Sequence, residues 1–156
     1  MLRKIQKTSS KISQRLRIAI VASKYNPELT DELLAHCLRT LGQQGVFDVQ
    51  TVRVPGCYEI PVVVMHLARQ KKFDALIALG VVIKGKTSHA GHITLASSIH
   101  LQKIAIETGI PVIHQILSPK NLRDARTRTA LRGVEAALTA IEMAVQARRL
   151  PGKSSG

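Results

Sequence analysis

The segment Ile83-Lys84-Gly85-Lys86-Thr87-Ser88-His89 holds the densest set of chemically competent side chains in the 156-residue chain. Gly85 permits tight backbone geometry. Lys86, Thr87 and Ser88 then lead into a helical pattern whose first amides have no intrahelical partner. Those amides, the Thr87 hydroxyl and the Lys86 charge together suit an anion. His89 falls in the first turn beside it, and an imidazole that titrates near neutrality can shuttle a proton there. The same residue can also serve as an ordinary hydrogen-bonding group at a helix start, and the residues alone leave both uses open. A second cluster is Val54-Pro55-Gly56-Cys57-Tyr58-Glu59. Glu59 is the only acid between Asp48 and Asp74; it can complement a helix dipole or accept hydrogen bonds from a polyhydroxylated ligand. Tyr25, in Ser23-Lys24-Tyr25-Asn26, can stack on a planar ring or simply pack in a turn. Cys57 has no assignable base partner and reads as a small packing residue. His89 and His92 are three apart on one helix, but no Glu-His pair or cysteine supports them, so no metal site is expected.

All of these segments follow apolar runs, and the runs show what must position them. Arg17-Ile-Ala-Ile-Val-Ala-Ser23 is short, β-branched and nearly continuous, as expected of a strand buried on both faces. Helical spacing follows over 29–44 through Leu33, Leu34, Cys37, Leu38 and Leu41, after the turn at Asn26-Pro27. The remaining pattern predicts strands at Val49–Val54, Ala75–Val82 and Val112–Leu117, with helices over 59–71, 89–108 and 120–150. Pro61 is tolerated in the first turn of its helix because no hydrogen bond is lost there. Strands alternating with helices imply parallel pairing with both sheet faces covered. Ligands of such sheets sit beyond the carboxyl ends of the strands, which is where the reactive segments fall.

Composition narrows the function classes. The length favours one domain over residues 16–150, preceded by a basic arm (1–15) and followed by a flexible tail (151–156). No apolar run approaches the roughly 20 residues of a membrane-spanning helix, and no stretch near Met1 resembles a signal peptide. Cys37 and Cys57 lie far apart, so a reducing, cytoplasmic setting is expected. The formal net charge is +13, and residues 1–17 supply six positive charges with no acid. This leader shares its basic, acid-free character with organelle-targeting segments, but it is short and lacks arginine dominance. A second basic cluster runs through Lys120, Arg123, Arg126, Arg128 and Arg132. Nucleic acid is nevertheless not the expected partner: Tyr25, Phe47, Tyr58 and Phe73 are the only aromatics, and none is interleaved with the basic residues.

Three motifs, in order and at characteristic spacing, resemble the lumazine synthase family: Lys24-Tyr25-Asn26, Val54-Pro-Gly-Cys-Tyr-Glu-Ile-Pro61 and Ala78-Leu-Gly-Val-Val-Ile-Lys-Gly-Lys-Thr-Ser-His89. The closing Gly133-Val-Glu-Ala-Ala-Leu-Thr-Ala-Ile-Glu-Met-Ala144 is similar too, so the resemblance spans about residues 16–148. It implies a three-layer α/β sandwich on a flavodoxin-like four-stranded parallel sheet of order 2-1-3-4. It also implies condensation of 5-amino-6-ribitylamino-2,4-pyrimidinedione with 3,4-dihydroxy-2-butanone 4-phosphate, giving 6,7-dimethyl-8-ribityllumazine, a riboflavin precursor, without a cofactor. By the same resemblance, His89 transfers protons. Tyr25 faces the pyrimidine, as do Val81, Val82 and Ile83 at a strand end, and Asn26 belongs to the substrate-binding set. Cys57, Tyr58 and Glu59 bind the ribityl chain, and Gly85, Lys86 and Thr87 hold the phosphate. Arg128 grips that phosphate from a neighbouring subunit, which also contributes His114, where the family usually has phenylalanine. A homopentamer is implied, and a sixty-subunit icosahedral shell stays open as the larger alternative.

The sequence departs from the family in two places. Ala90 and Gly91 follow His89, where an aromatic and a histidine-orienting acid are usual. Around Arg128–Arg132 the chain is about four residues shorter, without the family's Gly-rich link between the last two helices. Two other readings compete. An archaeal-type riboflavin synthase would share the fold, but the Glu59 segment and the Gly85–His89 loop favour the condensing enzyme. A basic polyanion-binding assembly would leave the strand-end motifs without a purpose.

Overall fold

The computed structural model of the chain describes residues 15–85, 88–150 and 152. Lys86 and Thr87 therefore lie outside the described residues, as do all of the expected arm except Arg15 and all of the expected tail except Gly152.

The central strand, β1 (Arg17–Ser23), is buried from Ile18 onward. It pairs in parallel with β2 (Asp48–Val54) on one side and β3 (Ala75–Val81) on the other. β4 (Val112–Leu117) then pairs with β3, giving the order β2-β1-β3-β4. Pleat alternation divides the apolar residues between two cores. Ile18, Ile20, Ala22, Ile77 and Leu79 face α1 (Pro27–Gln43) and α4 (Leu122–Arg149). Ala19, Val21, Leu76 and Ala78 face α2 (Ile60–Arg69) and α3 (His89–Thr108). The parallel sheet covered on both faces is thus the one the pattern predicts, and its flavodoxin-like strand order is the one the resemblance implies. β2 is an edge strand and mostly solvated, which explains its alternating rather than continuous apolar pattern.

Boundaries shift by a few residues, with local causes. Helix α1 begins at Pro27, where the missing amide costs no bond, after Asn26 turns the chain in the left-handed region (φ 55°, ψ 58°). The expected 59–71 helix is instead a 3₁₀ turn at Cys57–Glu59 running into α2. Helix α4 starts at Leu122 because the Asn121 side chain accepts from the Asp124 amide at 2.9 Å. It then runs 28 residues to Arg149 without a break, so the missing Gly-rich link is realised as one continuous helix.

Small residues set how closely α4 approaches α1. Ala136, Ala137, Ala140 and Ala144 are fully buried in the shared core. A Cβ placed on Gly133 would lie 2.5 Å from the Leu33 carbonyl oxygen and 2.9 Å from His36 Cβ. Alanine at a helix interior ordinarily gains about 1 kcal/mol over glycine. Here the overpacking, with a typical cost of about 1–3 kcal/mol, is expected to win. Gly133→Ala should therefore lower the denaturant midpoint; an unchanged or raised midpoint would contradict the packing at this crossing.

Candidate functional site

The helices cover both faces of the sheet, so the open ground lies at its ends. Backbone bonds first bring the post-strand loops together. Lys24 N–H donates to Val54 O at 2.8 Å, and Tyr25 N–H donates to Pro55 O at 3.2 Å. Across the sheet, Asn26 Nδ2 donates to Val81 O at 2.8 Å, and Val82 N–H donates to Leu117 O at 2.8 Å. The loops after all four strands are thereby linked at one rim.

At that rim opens a cleft of about 640 Å³. Tyr25 and Asn26 line it from the first loop, and Cys57, Tyr58 and Glu59 from the 3₁₀ turn. Val81, Val82 and Ile83 form the strand-end wall, and His89 stands at the start of α3. Nine residues proposed from four separated segments thus share one cavity. Gly56 and Ile93 line it as well and were not among the sequence candidates. The helical period places Ile93 one turn beyond His89, so spacing alone could have found it.

Gly56 is confined by its neighbours. An added Cβ would lie 2.9 Å from the Tyr25 ring and 3.0 Å from a Glu59 carboxylate oxygen. The Gly56 amide donates to Glu59 Oε2 at 2.9 Å, so one oxygen of this carboxylate is already committed to the turn. Both tyrosines remain exposed, as expected of aromatic surfaces available to a ligand. His89 is exposed too, at the end of α3 where unpaired amides and the helix dipole favour an anion.

Beneath the cleft, Cys57 is buried. Burial is the main cause that raises its thiol pKa above the ordinary value. The Glu59 charge raises it further, against opposing hydrogen bonds from Ser23 and the Val81 backbone. At neutral pH this thiol stays protonated, which fits packing rather than nucleophilic attack. Gly80 makes room for it: an added Cβ there would collide with Cys57 Sγ and approach Ser23 Oγ to 3.0 Å.

Three of the described sequence candidates, Gly85, His114 and Arg128, do not line this cleft. Lys86 and Thr87 lie outside the described residues. Arg128 sits on α4, paired through Nε with Asp124 Oδ1 at 3.1 Å. His114 lies half-buried on β4, with Nε2 buried and unpartnered; burial lowers its pKa below the usual imidazole value. It lines a different groove of about 600 Å³ along the free edge of β4, among mainly apolar residues such as Leu101, Ile110 and Met143. Gly85 is exposed in the loop before α3 and does not line the cleft either. Among the described residues lining the cleft there is no lysine or arginine. Among the described residues, no cluster of three His, Cys, Asp or Glu could hold a metal ion, and no helix is long and apolar enough to cross a membrane.

The model of the family described as 6,7-dimethyl-8-ribityllumazine synthase matches residues 15–148. Among curated relatives of that name, the Pyrococcus furiosus protein is 42% identical over 138 residues, covering 86% of this chain and 87% of its own. The Kineococcus radiotolerans protein is 41% identical over 139 residues, covering 85% and 86%. The Xylella fastidiosa protein is 38% identical over 141 residues, covering 86% and 92%.

Gly80→Ala should displace the 3₁₀ turn and uncover Cys57. In the native protein a disulfide reagent is expected to modify neither thiol appreciably before unfolding, whereas in the variant one thiol should react at least about tenfold faster through local exposure. Equal rates in both proteins would count against this account of the cleft floor.

Proposed function

The chain belongs to the 6,7-dimethyl-8-ribityllumazine synthase family, and we infer that its strand-end cleft condenses 5-amino-6-ribitylamino-2,4-pyrimidinedione with 3,4-dihydroxy-2-butanone 4-phosphate. The products are 6,7-dimethyl-8-ribityllumazine, phosphate and water, a step of riboflavin biosynthesis. The observation that carries this reading is the convergence of Tyr25, the Cys57–Glu59 turn, Val81–Ile83 and His89 on one cavity.

The chemistry asks little of the protein beyond pose and proton transfer. The pyrimidine amine adds to the ketone, and loss of water gives an imine. Removal of a proton next to that imine expels phosphate, and the second amine then closes the ring with loss of water. His89 stands where it can take up and return these protons, and fixed orientation of two substrates supplies much of the remaining rate. Tyr25 offers a face for the pyrimidine, with Val81–Ile83 forming the opposing apolar edge. The free oxygen of Glu59 and the polar atoms of the 3₁₀ turn suit the ribityl hydroxyls. Gly85, Lys86 and Thr87, with the first amides of α3, suit the phosphate. With Ala90 and Gly91 next to it, His89 acts without the orienting acid usual in the family.

A phosphate monoester carries about two negative charges, more than the single charge of Lys86 offsets, so the subsite calls for a second cation. We assign that role to Arg128 of a neighbouring copy, and with it His114, in a homopentamer. Support comes from α3, where Leu95, Ile99 and Ile106 form an exposed stripe at helical spacing (62%, 55% and 76% exposed). The free thiols Cys37 and Cys57 fit a reducing cytoplasm.

Purified protein mixed with both substrates should form the fluorescent lumazine faster than buffer does, and no acceleration would overturn the assignment. His89→Ala should lower kcat by about 10²–10⁴-fold, the usual range for a lost general acid–base. Arg128→Ala should mainly raise KM for the phosphate substrate. Co-refolding the His89→Ala and Arg128→Ala chains should restore part of the activity, because some sites then draw both intact residues from different chains. No recovery on mixing would place the two groups in one chain and exclude the shared site.

A further inference from the structure

Behind the cleft wall Ser23, Cys57 and Ser97, from three different elements, form a chain of buried contacts, and the condensation chemistry assigns no task to the two serines. Ser23 closes β1 and is fully buried, and its Oγ lies 3.6 Å from Cys57 Sγ. Ser97, on α3, is also buried, and its Oγ donates to the Cys57 carbonyl at 3.2 Å. On the far side, Arg53 Nη2 donates to the Ser23 carbonyl at 2.9 Å and Arg53 Nη1 pairs with Asp31 at 2.8 Å. The contacts therefore run from α1 through β2 and β1 to the 3₁₀ turn and on to α3.

The Ser97 bond is the informative one. A hydroxyl inside a helix has a ready acceptor in the carbonyl four residues back. Thr94 uses it (Ala90 O, 2.8 Å) and so does Thr108 (Ile104 O, 2.6 Å), both in this same helix. Ser97 instead reaches across to another element. It stands about two turns along α3 from His89, and it holds the first residue of the turn that presents Tyr58 and Glu59 to the cleft. Ser97 is not itself among the cleft-lining residues.

We infer that Ser97 is a positioning residue, whose bond to the Cys57 carbonyl sets the spacing between the helix bearing His89 and the turn that receives the polyhydroxylated arm of the substrate. This rests on the condensation reading above. The Cys57 carbonyl also accepts from the Ile60 amide, so it keeps a partner when the hydroxyl is removed. Alanine is in addition a better helix former than serine. Loss of the hydroxyl should therefore move the turn without unfolding the protein.

The test is Ser97→Ala beside Ser97→Cys, which retains a weak donor of similar size, with wild type as reference. In steady-state kinetics Ser97→Ala should raise KM for the ribitylamino-pyrimidinedione about tenfold, a magnitude in keeping with a sub-ångström misplacement of a binding element. KM for the butanone phosphate, kcat at saturation and the pH profile should stay at wild-type values, and Ser97→Cys should fall between the two. Calorimetric binding of the ribitylamino-pyrimidinedione reads the same displacement without turnover. A wild-type protein that binds this compound but does not turn over would overturn the condensation reading, while the Ser97→Ala binding loss would still decide the positioning role. Unchanged affinity in Ser97→Ala, a parallel rise in both KM values, a shifted pH profile, or failure of both variants to fold would each overturn that role. A wild type that neither binds nor reacts overturns both.

Discussion

A parallel sheet sheathed by helices on both faces leaves polar chemistry almost nowhere to go except its ends. Every side chain of β3 points into one core or the other, and a charge or hydroxyl there would need a buried partner. The strands all run the same way, so the loops after β1, β2, β3 and β4 converge on one rim, where backbone bonds between them fix their relative heights. Functional groups spaced through more than 60 residues of chain are brought together by that directionality. The same constraint explains why glycine recurs at the rim. Gly56 and Gly80 leave room for Tyr25, Glu59 and Cys57, which a side chain at either position would displace.

The electrostatics follow from where the acids sit. The chain carries +13, yet several of the described basic residues have local partners. Arg17 meets Asp48, Arg53 meets Asp31, Arg132 meets Glu135, and Arg148 grips both oxygens of Asp74. Most of these pairs are exposed and add little stability individually. Within the second basic cluster Arg126 meets Glu28, Arg128 meets Asp124 and Arg132 meets Glu135, so it is interleaved with counter-charges rather than forming a bare polyanion-binding stripe. Arg128 belongs to this set: its pair with Asp124 holds the guanidinium along its own helix. A substrate phosphate reaching it from another copy would compete with Asp124 for the same donors.

Within one copy the described candidates fall in separate places. Tyr25, the Cys57–Glu59 turn, Val81–Ile83 and His89 share the rim cleft. Arg128 pairs with Asp124 along α4, and His114 lines the groove at the β4 edge. Apolar surface also stays uncovered within one copy, on the α3 stripe and in the groove along the β4 edge.

Much of this was legible without coordinates because burial on both sheet faces imposes a recognisable residue pattern. Nearly continuous apolar runs marked β1 and β3, and β4 was bounded as observed. Pro-Gly and Asn-Pro marked the turns, and the rule that ligands sit at strand carboxyl ends pointed to Tyr25, Glu59 and His89, which line one cleft in the fold. Helix starts were displaced where a local device decided them, such as the 3₁₀ turn at Cys57–Glu59 or the Asn121 cap, because one-turn hydrogen bonding is too local to alter periodicity. Sequence spacing had no means of finding the buried contacts among Ser23, Cys57, Gly80 and Ser97. Their significance lies in distances between elements, and serines or glycines at these positions carry no signal of their own. The residue types and their order along the chain thus determined the layers, the strand order expected of the family and the candidate chemistry. The tertiary structure alone decided which of those side chains meet within one copy, because only packing fixes the approach of α3 and the 3₁₀ turn to the end of β1.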